Sequence, residues 1–409
     1  MRYGYLFTAL LCVSLCGGCG QRDASASPDT FGERVDLRYA EQFTMERDDA
    51  GRVLVTIAGA ERFLLVPDGV TAPDSSATTP DSHGNAATTP DSHGDGVATP
   101  DSHGDSPGTG VTVLHTPLQS VYVAASSAMD FFRRLDALDA VRFTSTSAQN
   151  WSLAPVRAAV ERGQIRYAGK YSAPDFEALL AAHCPLAVES TMIFHSPDIR
   201  EQLEALGVPV LVERSSYEPH PLGRMEWIKL YGLLTGREAE ADAFFAQQAQ
   251  AVEQILSEAD TGKSVAFFSV SPNGYVNVRK PGDYVTKMLE MAGGHYVFSG
   301  LLPETDSAVS TMNLQMEAFY AGAKDADILI YNGAIDGGME TLSQLLGKSE
   351  LLADFKAVKA GNVWCTERNM FQETTAVGGI VADLRTVFAG GDAPLTYLHR
   401  LSGTAPPGA

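Results

Sequence analysis

From residue 35 to residue 66 apolar and polar positions alternate, as in GRVLVTIAGAERFLLVP, with Gly51 and Gly59 as punctuation. Period-two alternation of this kind predicts a small antiparallel β-hairpin, over residues 35–67. From Val111 onward the pattern changes to short continuous apolar runs separated by helical periodicity. SVYVAAS, AVRFTS, PLAVES and VPVLVE read as buried strands, with helical stretches such as 128–138 and 197–206 between them. A second series repeats the order with SVAFFSVS, HYVFSG, ADILIYNG and NVWCTE, and a helix over 283–292. Strands alternating with helices predict parallel sheets covered by helices, so the expected architecture is α/β, with two Rossmann-like lobes at 111–217 and 263–388. Between them, residues 218–262 read as helical apart from Gly236. The Ala-, Glu- and Gln-rich part from Arg237 to Asp260 would run about 36 Å at about 1.5 Å per residue, a helical strut joining the lobes. Residues 389–409 read as a tail.

Residues 68–110 break the pattern, for they contain no Leu, Ile, Met, Phe, Tyr, Trp, Lys or Arg. Such a segment cannot bury enough surface to offset its ordering entropy, and a disordered insert is expected. Within it TPDSHG recurs three times at a ten-residue period, placing His83, His93 and His103 each beside an aspartate. Three imidazoles at this spacing either wrap one transition-metal ion weakly or ride on a solvated spacer.

The first residues, MRYGYLFTALLCVSLCGGCG, have the short charged start, apolar run and small residues of a signal peptide over 1–18. Acylation of Cys19 would follow, with 19–34 as a tether, although Leu15 stands one place too far upstream for the usual lipobox; plain secretion is the alternative. Only Cys184 and Cys365 then remain, too distant in sequence to suggest a disulfide framework. The expected location is outside the inner membrane, lipid-anchored in the periplasm or at the cell surface.

With 409 residues, 44% of them apolar, the chain is long enough for two cores. Its net charge of -20 would be repelled by nucleic acid and by anionic membrane surfaces, leaving a lipid anchor as the expected membrane contact. The mature chain shows no G-x-S-x-G, H-E-x-x-H, P-loop or C-x-x-C pair, so the reading is a binding protein with no catalytic cofactor rather than an enzyme.

The series AASSAMDFFRRLDALDAVRFTSTS, AGKYSAPDFEALLAAHCPLAVES, REQLEALGVPVLVE, HPLGRMEWIKLYGLLTGREAEADAFF and MLEMAGGHYVF resembles substrate-binding lipoproteins of ABC importers for iron complexes and cobalamin. The resemblance covers about 35–388 and implies a monomer that holds a metal chelate of iron or cobalt between its lobes. It implies delivery to the permease transmembrane subunits with their ATPase. It also implies one docking glutamate per lobe near a helix start, which by local match are Glu177 in PDFEALLAA and Glu317 in LQMEAFYAG. A free transition-metal-ion binder and a surface interaction lipoprotein with a variable loop are the alternatives.

Loops after strands supply the ligand candidates. The first lobe offers Ser126, Ser127, Trp151, Tyr171, Met192, Phe194 and His195; the second offers Tyr275, Arg279, Lys280, Tyr284, Arg368, Met370 and Phe371. Aromatic and methionine side chains give adaptable apolar contact, and cations suit acidic groups on a chelate. His195 would suit a haem iron or a cobalt as axial ligand. The histidines outside the insert are scattered, which favours a chelated metal over a bare ion.

Overall fold

The computed structural model describes residues 31–72, 110–301 and 311–403. The signal peptide, Cys19 and the repeat histidines His83, His93 and His103 lie outside the described residues.

The alternating N-terminal text forms more than a hairpin. Glu33–Arg34, Phe43–Arg47, Val53–Ile57 and Glu61–Pro67 make an antiparallel meander, and Thr112–Thr116 adds a fifth strand parallel to Glu61–Pro67. The strand at 112–116, assigned from its position to the first lobe, therefore belongs to this separate sheet. Alternation puts Phe43, Met45, Val53, Val55, Ile57, Phe63, Leu65 and Leu114 on one face, all buried in the main core.

Each lobe is built around parallel strands. In the first, Val210–Glu213, Ala187–Ser190, Val121–Val123, Val141–Thr144 and Arg166–Tyr167 lie in that spatial order, all parallel. In the second, Lys263–Val270, Ile328–Tyr331 and Val363–Thr366 are parallel, with Gly294–Tyr296 alongside the start of the first. Antiparallel strands extend it on both sides: Val276–Arg279 and Thr311–Leu314 on one, Leu398–Arg400 on the other. Residues expected to form a tail thus supply an edge strand, and the buried Asp383 carboxylate fixes it by accepting from Thr396 N and Tyr397 N, each at 2.7 Å.

Short helices Pro221–Glu226 and Ile228–Thr235 precede the long helix Glu238–Leu256, whose 19 residues span about 28 Å. Gly236 ends the second of these at a left-handed φ of 68°, the conformation that turns the chain into the strut. The strut touches both lobes. The Arg134 guanidinium lies 4.1 Å from the Phe244 ring centre, and the last helix, Val377–Ala389, passes so close that a Cβ at Gly378 would sit 2.6 Å from Gln248 Oε1. One core runs from the N-terminal sheet through the inner face of the first lobe into the second, while the first lobe's outer face packs its own cluster around Tyr122, Phe143, Leu179 and Val212.

The N-terminal segment is fastened by two buried carboxylates of the inter-lobe region. Glu226 accepts from the backbone N–H groups of Arg38, Tyr39 and Ala40 at 2.8–3.0 Å; Glu218 accepts from Glu41 N at 2.7 Å, Gln42 N at 3.0 Å and Trp227 Nε1 at 2.8 Å. The approach is tight, since a Cβ on Gly223 would lie 2.5 Å from Tyr39 O. Truncating Glu226 strands three N–H groups at about 1 to 3 kcal/mol each. Glu226→Ala should therefore raise amide hydrogen exchange at residues 38–40 by at least about a hundredfold; exchange unchanged within a factor of three would refute this role.

Candidate ligand-binding cleft

In each lobe the loops after the parallel strands converge on the other lobe. Asp130, wholly buried at the start of the helix Met129–Arg134, receives both Thr375 N and Thr375 Oγ1 from the second lobe at 2.7 Å. Thr374 Oγ1 donates to Ser127 O at 2.9 Å. Burial pushes the Asp130 carboxyl above its usual range, against the opposing pull of Arg133 and the Thr375 donors. These contacts join the two lobes at residues 127–130 and 374–375, the base of the candidate cleft.

Of the second lobe's candidates, the structure gathers Arg279, Tyr284 and Phe371 at that base. The Arg279 guanidinium lies 5.0 Å from the Phe371 ring centre and 3.6 Å from Asp283, whose carboxyl caps Val285 N at the start of the helix Tyr284–Met291. Arg279 is only 8% exposed, for it ends an antiparallel strand and does not lie in the loop after it, as the sequence suggests. Tyr284, also buried, is covered by Arg224 with its guanidinium carbon 4.4 Å from the ring centre. Met370 is buried in the core against which Phe371 packs, and Lys280 is half-buried just past the strand. Arg368 is exposed, and its guanidinium donates to Gly337 O, tying two loops of the second lobe together. Tyr275 stands exposed at the tip of the turn after Lys263–Val270.

The first lobe's candidates separate. Ser127 Oγ donates to the buried Glu213 at 2.8 Å, and Ser126 is half-buried beside it. Trp151 is a core residue at 1% exposure with its Nε1 donating to Thr146 O, so packing inside the lobe, not a ligand, accounts for its placement. Tyr171 packs against the outer-face cluster. Met192, Phe194 and His195 are exposed on the short turn Thr191–His195, where the Arg214 guanidinium lies 5.4 Å from the Phe194 ring centre. Glu177 and Glu317 are both exposed in the first turns of the helices Phe176–Ala181 and Met316–Ala323.

Sequence reasoning missed Asp130, Arg224, Gln372 and the threonine pair. A signal existed for two of them, because Asp130 stands in AMDFF and Arg224 in PLGRMEW, charged residues set among apolar ones. It also missed Ile335, 61% exposed in a loop after Ile328–Tyr331 that Asp336 anchors through Tyr331 Oη at 2.6 Å and Lys348 Nζ at 3.0 Å. Glu189 is a further surprise. It is fully buried on the strand that leads into the Thr191–His195 turn, neither carboxyl oxygen has a hydrogen-bond partner, and burial pushes its pKa up to about 8.

Residues 125–368, more than half of the chain, match a family model described as periplasmic binding protein. An uncharacterised lipoprotein of Methanocaldococcus jannaschii is 21% identical over 288 residues, covering 68% of this chain and 67% of its own. A second from the same organism is 28% identical over 218 residues, with 50% and 53% covered. Among solved structures, a periplasmic haem-binding protein of Pseudomonas aeruginosa superposes with a TM-score of 0.54 at 18% identity, covering 70% of this chain and 99% of its own. A petrobactin-binding protein of Bacillus subtilis gives 0.53 at 12% identity, with 66% and 93% covered.

Glu189 predicts a pH dependence of stability. Its carboxyl is protonated in the folded state up to about pH 8 and ionises near its usual 4.5 when unfolded, so its contribution is full below pH 4.5 and is lost as pH rises toward 8. Glu189→Gln keeps a neutral side chain at every pH. The variant's stability relative to the natural protein, read from urea midpoints, should rise steadily between pH 5 and pH 8, at up to about 1.4 kcal/mol per pH unit. A difference that stays constant across this range would show that the carboxyl is not protonated in the folded protein.

Proposed function

The chain belongs to the periplasmic binding protein family, and from that premise we propose that it captures an iron chelate, haem or a ferric siderophore, in the inter-lobe cleft and hands it to an ABC importer. The observation that supports the reading is that loops following parallel strands of both lobes meet one another, since the carboxyl ends of such strands are where open α/β sheets bind ligands. The haem-binding and petrobactin-binding proteins of the same fold support a chelate as the ligand. The residue chemistry near that meeting point supports it too: Phe371 offers a flat apolar face held by Arg279, while Lys280 and Arg368 would supply positive charge for acidic ligand groups. Among the described residues no group of three His, Cys, Asp or Glu could hold a metal ion, and His83, His93 and His103 lie outside them. Cobalamin is the third candidate, on the resemblance in sequence alone.

Delivery would use Glu177 and Glu317. Each is an exposed carboxylate on a helical first turn, one per lobe, suited to a two-pronged hydrogen bond from an arginine of the permease. An extracytoplasmic, lipid-anchored location accords with the lipoprotein relatives.

Titration of the purified protein with haemin, a ferric siderophore and cobalamin, followed by absorbance, should give one saturable complex with micromolar or tighter affinity; no spectral change with any of the three would remove the chelate reading. Replacing Lys280 and Arg368 together with alanine should weaken an acidic chelate more than tenfold, since hydrogen bonds to charged groups contribute about 1.5 to 3 kcal/mol each. The double variant Glu177→Ala, Glu317→Ala should bind normally yet abolish uptake by cells, and undiminished uptake would exclude these residues from docking.

A further inference from the structure

We propose that Gln372 is the positioning residue of the cleft, a two-pronged amide latch that fixes the loop bearing Arg368, Met370 and Phe371 against the first lobe. Its Nε2 donates to Asn150 O at 2.8 Å and its Oε1 accepts from Ser152 N at 2.7 Å, so one side chain clasps the backbone on both sides of Trp151. Both bonds join residues more than two hundred positions apart and cross from one lobe to the other.

The two ends of the clasp are unequal in kind. On the first lobe the receiving backbone is rigid: Trp151 is buried, its indole N–H is bound to Thr146 O, and Arg157 Nε donates to Trp151 O at 2.8 Å. On the second lobe Thr374 and Thr375 are already fastened to Ser127 and Asp130, and Glu373 is held by Asn369 Nδ2 at 2.9 Å and Tyr397 Oη at 3.0 Å. Gln372 comes before these fixed points and directly after Phe371, whose ring rests on Arg279. It therefore governs whether the part of the loop from Arg368 to Phe371 stays docked on the first lobe. The Asp130–Thr375 contact is buried and permanent, whereas the Asn150–Gln372 bond is solvent-exposed and so breaks readily.

The side chain is specified by this geometry. An acceptor and a donor are both required at a single planar group, which excludes Glu on the donor side, and Asn is one methylene too short. Two hydrogen bonds of ordinary net strength correspond to about a tenfold change in the population of the undocked loop.

This proposal rests on the chelate-binding reading for its consequence but not for its first test. In the full chain, Gln372→Ala should raise amide exchange at Ser152 about tenfold in the absence of ligand. Haemin and a ferric catecholate siderophore, followed in stopped flow by tryptophan quenching, should then associate and dissociate several-fold faster, with equilibrium affinity changing less than either rate. Gln372→Glu, which keeps the acceptor and loses the donor, should fall between the two and move toward the natural rates as acid protonates the carboxylate. Unchanged Ser152 exchange in Gln372→Ala overturns the latch, as do unchanged rates in a protein that binds either probe. If neither probe binds yet Ser152 exchange rises, the latch stands and the chelate reading falls.

Discussion

The junction of the two lobes depends on one buried contact, the Asp130 carboxylate receiving both donors of Thr375. A carboxylate removed from water is costly, and this one is kept by Arg133 on its own helix and by a backbone N–H and a hydroxyl from the opposite lobe. Withdrawing the second lobe would strand the charge, so the energetics oppose any hinge motion that opens the base. The separation of the lobes is consequently fixed at the base, and freedom is confined to loops above it. On the proposed function, such a molecule would select a rigid chelate by a nearly preformed shape, with the solvent-exposed bond of Gln372 as the weaker of the contacts between the lobes.

The same device recurs on the back of the molecule. Glu218 and Glu226 take five consecutive backbone N–H groups, from Arg38 to Gln42, into a site with no room for a side chain at Gly223. Phe43 then packs on Trp227 with ring centres 4.8 Å apart, and the N-terminal sheet is seated on the inter-lobe helices. Glu61 reaches further, pairing with Arg200 at 2.9 Å and accepting from Val212 N at the edge of the first lobe's sheet. The sheet is thus a brace across the strut and one lobe, on elements separate from the cleft loops.

Much of this was legible in the chain because the strong signals are local. Continuous apolar runs such as AFFSV and DILIY announced buried parallel strands, and the Ala- and Glu-rich stretch after Gly236 announced the strut. What escaped was decided by partners distant in sequence. Arg166–Tyr167, Val276–Arg279 and Leu398–Arg400 are strands only because a neighbour offers its edge, and each is too short or too polar to show periodicity. Arg279 was misplaced for that reason, and Trp151 because an aromatic residue in a polar stretch reads alike whether it fills a core or faces a ligand. The lobe contacts of Asp130 and Gln372 join positions more than two hundred residues apart, and no window along the chain contains both partners.

The repeat-bearing segment enters this picture through its two ends. Glu61–Pro67 and Thr112–Thr116 pair in parallel, and Asp68 N donates to Thr116 O at 2.9 Å, so both ends are fastened to one sheet. A parallel pair cannot be joined by a tight turn and requires a long crossover whatever its sequence. Once that closure is made, each doubling of the connection costs only about 0.6 kcal/mol. A connection that is already long therefore gains length at little cost. Its ends are anchored on the brace, on elements other than those that carry Asp130 and Thr375.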